Sequence, residues 1–120
     1  MQYTRSQWLC LSLPVLITGQ ISLAGLALFL DAEVWTLHIV FGFLLLLPIA
    51  FITTSSRARG LREKAWLVAV LYAVQVTLGA LIESASYWPI AIHFINALLL
   101  LLASIILASD SITESKYSMH

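Results

Sequence analysis

Charged side chains are missing from four long stretches of this 120-residue chain: residues 6–30, 34–56, 65–82 and 84–109. A helix needs about 20 apolar residues to cross the hydrocarbon of a bilayer. The four stretches therefore fill the chain and leave only short connections. Charged types make up 10% of the sequence, against about 25% in soluble domains. That balance excludes a soluble enzyme domain. Net charge is zero, so no basic face offers itself to a nucleic acid. Cys10 is the only cysteine, which excludes an internal disulfide and a cysteine metal cluster.

The spans are expected near Leu11–Leu30, Val34–Thr54, Ala65–Ile82 and Pro89–Ser109. They must be helices, because lipid gives backbone N–H and C=O groups no partner. The leucine runs 44–47 and 98–102 suit helices and lack the alternation of a membrane barrel. The first span is long for a signal peptide and lacks a clear cleavage site, so it is read as permanent. Pro48 is expected to kink the second span, and Pro89 suits a first helical turn.

Charge sets the expected orientation. Arg57, Arg59, Arg62 and Lys64 follow span two, against Glu63 alone; Asp31 and Glu33 follow span one, and Glu83 follows span three. The basic loop, and with it both termini, is expected to face the cytoplasm. Arg5 and Lys116 agree with this. Short connections imply an antiparallel bundle. The expectation is an all-α integral membrane protein: a single transmembrane domain over residues 1–120, an up-down-up-down four-helix bundle of two tandem hairpins. Contact with membrane lipids follows, with anionic lipid at the basic loop an added option.

The hairpins, roughly residues 11–54 and 65–109, repeat at a spacing of 55 residues. Gln20 falls on Gln75, Ser22 on Thr77, His38 on His93 and Gly42 on Ala97. The paired Gln and His carry weight, since both types are rare in membrane helices. Halves with an even number of spans point the same way, so a pseudo-twofold along the membrane normal is expected. It would place His38 and His93 at one depth, about a turn inside the acidic-loop face, across a shared cavity.

Neutral imidazole is a good axial ligand for haem iron. Gly42 and Ala97 lie one turn deeper than the histidines on the same helix faces. Gly25 and Gly79 on the partner spans lie at similar depth. Small residues there would let a porphyrin edge or another helix approach. Phe29, Trp35, Phe41, Trp88 and Phe94 are read first as interfacial belt or packing. The plain alternative is that each histidine only bonds a neighbouring helix. Zinc is the weaker chemistry, because it wants about four ligands and only Glu33 and Glu83 approach. The two glutamines are expected to bond each other across the pseudo-twofold; a lipid headgroup or quinone oxygen is the alternative partner. Asn96, opposite Phe41 in the repeat, is expected to bond near a cofactor or to a backbone carbonyl. His120 is assigned nothing.

The segment Gly19–Leu26 with His38, and the segments Val74–Leu81 and Ala91–Leu98, resemble a family of small, uncharacterised bacterial four-helix membrane proteins. They also resemble one four-helix half of haem A synthase. There the second and fourth helices of each bundle carry histidines; one bundle holds haem b and the other takes haem O. The resemblance implies a bacterial plasma membrane location and His38 and His93 as a haem ligand pair. This chain has one bundle where the enzyme has two. Trp35 and Ile39 stand where the enzyme carries Glu and Arg. The resemblance therefore implies the scaffold and the haem rather than the synthase reaction.

The functional expectation is a b-type haem protein, bis-histidine ligated through His38 and His93. It would serve electron transfer or haem handling with a quinone or membrane redox partner, as a monomer or a homo-oligomer. A haem-free scaffold or accessory subunit, and a small transporter, are the alternatives. No residue is assigned a catalytic role.

Overall fold

The computed structural model describes residues 4–56, 59–82 and 87–117. Five helical segments follow one another: α1 Arg5–Phe29, α2 Val34–Leu44, α3 Leu46–Ser55, α4 Arg59–Leu81 and α5 Trp88–Tyr117. No strand occurs among the described residues. Segments α2 and α3 together make one span, so four helices are long and apolar enough to cross a membrane. The protein is an all-α, four-helix membrane bundle. Arg57, Glu83 and His120 lie outside the described residues.

Helix ends depart from the apolar stretches where capping sets them. The α1 helix starts at Arg5 because Thr4 and Gln7 form a capping box. Thr4 Oγ1 accepts from the Gln7 N–H at 3.3 Å, and Gln7 Oε1 accepts from the Thr4 N–H at 2.8 Å. Each satisfies an orphan donor of the first turn. Gln7 Nε2 also donates to the Ser111 carbonyl at 3.0 Å, tying the start of α1 to α5. That helix runs two turns beyond the apolar stretch, and Lys64 pairs with Asp110 there. At the opposite end, Asp31 closes the α1–α2 turn: its Oδ1 accepts from the Glu33 N–H at 2.8 Å.

Span two breaks at Leu45. Pro48 has no N–H to give the Leu44 carbonyl, and its ring crowds the preceding turn. The kink expected from Pro48 is present, one turn ahead of the proline. The break separates two packing environments. The α3 segment packs on α1 and α4, whereas α2 packs chiefly on α1. The remaining close neighbours are α1 with α5 and α4 with α5. Spans one to four thus ring the bundle axis in chain order, with spans two and four diagonal.

The packed core lies at the basic-loop end. It joins Cys10, Leu13 and Ile17 of α1 to Ile49 and Ile52 of α3, Val68 and Tyr72 of α4, and Leu100 and Leu107 of α5. No residue of α2 is buried. The half of the bundle that bears both histidines is consequently the less tightly packed one.

Candidate functional site

His38 enters one turn into α2 and His93 one turn into α5. Each ring leans on the other helix of its own hairpin. His38 Nδ1 lies 3.1 Å from the Gln20 carbonyl oxygen, and His38 Nε2 lies 3.3 Å from Gln20 Nε2. A carbonyl only accepts and an amide nitrogen only donates. Both contacts therefore demand the same tautomer, with the proton on Nδ1 and the lone pair on Nε2. The Gln20 amide donates a second, shorter bond of 2.7 Å to the His38 carbonyl. Trp35, one turn earlier, sets its ring edge-on to the imidazole, with centroids 5.5 Å apart and planes at 89°.

His93 occupies the corresponding place against α4. Its ring lies beside the Gln75 backbone, the repeat counterpart of Gln20. Its Nδ1 is buried but reaches no partner in hydrogen-bond geometry. A Cβ placed on Gly79 would lie 3.5 Å from His93 Cε1, an ordinary contact, so the ring lies over Gly79 with room for a methyl group there. The two imidazoles thus sit at corresponding places on diagonal spans.

The small residues take different parts. A Cβ on Gly42 would fall 2.8 Å from Gln20 Nε2. Gly42 thus makes room for the Gln20 amide rather than for a porphyrin edge. Gly25 has nothing within 4 Å of its Cβ position, and Ala97 is buried on α5.

The glutamines do not meet across the bundle as expected. Gln20 is engaged by His38, and its Oε1 has no partner. Gln75 Oε1 accepts from Asn96 Nδ2 at 2.7 Å. Each amide finds a polar partner one helix away in its own hairpin. Asn96 Nδ2 also donates to the Leu71 carbonyl at 2.9 Å, the backbone bond anticipated for it.

Tyr72 is the residue that sequence reasoning missed. Its hydroxyl donates to the Gly42 carbonyl at 2.9 Å, joining α4 to α2 beneath the histidines. The signal was available: a tyrosine well inside a span, three residues before Gln75 and so on the same face.

Two imidazoles alone fall short of the roughly four ligands a bare zinc ion takes. Among the described residues no three His, Cys, Asp or Glu side chains come together. Two imidazoles suffice for a porphyrin iron. An axial histidine commonly donates Nδ1–H to a carbonyl and keeps Nε2 for the metal. His38 has that tautomer. Its Nε2 faces the Gln20 amide, which would have to give way to a metal.

No curated protein and no solved structure matches the chain. A family of unknown function, DUF6220, matches residues 20–82. That stretch is just over half of the chain and takes in Gln20, His38, Gly42, Tyr72 and Gln75, with α5 and His93 beyond it. The chain belongs to this family of unknown function, DUF6220.

Proposed function

We propose that this protein is a small b-type haem protein with His38 and His93 as axial ligands near its acidic-loop face. One observation carries the reading. Hydrogen bonding holds His38 in the tautomer that presents Nε2 as a ligand, with a second, half-buried imidazole on the diagonal span. When bound, the haem supplies one-electron chemistry, and two imidazoles leave its iron no open position.

The chain's own residues do the positioning. The Gln20 carbonyl fixes the proton of His38 and orients its ring. His93 lies over Gly79 in the second hairpin. Apolar spans exclude water from both. The role is electron transfer or haem handling with a quinone or membrane redox partner. The basic loop and both termini face the cytoplasm of a bacterial plasma membrane.

A specific contact favours a second reading, a haem-free scaffold or accessory subunit. The Gln20 amide stands 3.3 Å in front of His38 Nε2 and could serve simply to lock α1 to α2. A visible spectrum of the purified protein from haem-replete cells separates the two. The haem reading expects a Soret band and sharp reduced α and β bands, lost in both His38→Leu and His93→Leu. A colourless wild-type protein would establish the scaffold.

A further inference from the structure

A second feature lies at the other end of the bundle, independent of the histidines. Between α3 and α4 runs a lipid-facing cavity of about 530 Å³. Its walls include Ala50 and Thr54 of α3 and Trp66, Ala69, Ala73 and Val76 of α4. From Trp66 to Val76 the helix rises about 15 Å. That is half of a hydrocarbon core about 30 Å thick, or the depth of one leaflet. The groove is apolar, open to lipid and one leaflet long, which suits an acyl chain.

Its basic end is charged. Arg62, Trp66, Ala69, Ala73 and Val76 follow one another at spacings of four and three, and so share one face of α4. Arg62 stands one turn before Trp66, just beyond the residues that line the groove. It is exposed and has no ion-pair partner among the described residues, whereas Lys64 is paired with Asp110. Arg62 also lies in the first turn of α4, where the helix dipole favours an anion.

We propose that this groove seats an acyl chain of an anionic phospholipid whose phosphate lies against Arg62. The probe is spin-labelled phosphatidylglycerol compared with spin-labelled phosphatidylcholine, with the full-length protein in phosphatidylcholine vesicles. Electron paramagnetic resonance reads the motionally restricted fraction of each. The expected preference for phosphatidylglycerol is roughly fivefold, the effect of one basic residue at a membrane surface. Arg62→Gln should bring the ratio to one, and Ala73→Leu should remove the restricted lipid by filling the groove. Equal association of the two lipids, or an unchanged ratio in Arg62→Gln, would overturn the proposal. So would a preference that survives Ala73→Leu, since it would place the anion on the basic loop alone. Disulfide trapping of two copies through Ala50→Cys would assign the groove to a second chain.

Discussion

Replacing Asn96 by leucine isolates the bond network that distinguishes this fold from a bundle joined by its two glutamines. Asn96 is 5% exposed. Its Nδ2 donates to Gln75 Oε1 at 2.7 Å and to the Leu71 carbonyl at 2.9 Å. Hydrogen bonds between membrane helices average about 0.6 kcal/mol and reach about 1.7. Two of them make Asn96→Leu cost about 1.2 kcal/mol, with a ceiling near 3.4 kcal/mol. Leucine has the same branched skeleton but is bulkier, so no cavity opens, and a cost above this ceiling would mark overpacking. The assay is reversible unfolding in mixed detergent micelles, run as double-mutant cycles. Asn96→Leu with Gln75→Leu should couple by about 0.6–1.7 kcal/mol. Gln20→Leu with Gln75→Leu should be additive within about 0.5 kcal/mol. Coupling between the two glutamines, with none between Gln75 and Asn96, would refute the within-hairpin pairing.

Gly42→Ala pits two effects of similar size against each other. The new Cβ forces the Gln20 amide back from 2.8 Å, weakening its bonds to His38. Helix propensity returns about 1 kcal/mol. Stability should barely change, and Gln20→Leu should cost about 1.2 kcal/mol in the wild type but less than half of that beside Gly42→Ala, by the same unfolding assay. Tyr72→Phe removes only the bond to the Gly42 carbonyl and should cost about 0.6 kcal/mol. A cost beyond about 2 kcal/mol would mean that the ring's packing in the core, rather than its hydroxyl, had been disturbed.

The architecture could be read from where charge is missing, because lipid permits so few alternatives. Four charge-free stretches give four helices, and Pro48 marks the break in span two. The site was readable in part. His38 and His93 stand out as rare types repeated at one spacing, and the structure sets them on diagonal spans. Side-chain partnership was not readable. Gln20 and Gln75 are equivalent in the sequence, yet one meets His38 and the other Asn96, because Asn96 stands where the first hairpin has Phe41. That single difference supplies Gln75 with an amide donor and leaves Gln20 to reach across Gly42. Tyr72 escaped notice for a related reason. Its repeat counterpart is Ile17, and attention to matched positions hides a polar group that only one half possesses.

The central claim is that two imidazoles, one from each hairpin, bind one haem iron. Near-infrared magnetic circular dichroism of the oxidised, purified protein reads the axial ligands directly. The account predicts a bis-imidazole signature at one haem per chain, abolished singly by His38→Leu and by His93→Leu. A signature that survives either substitution, or a protein without haem after expression in haem-replete cells, would contradict it.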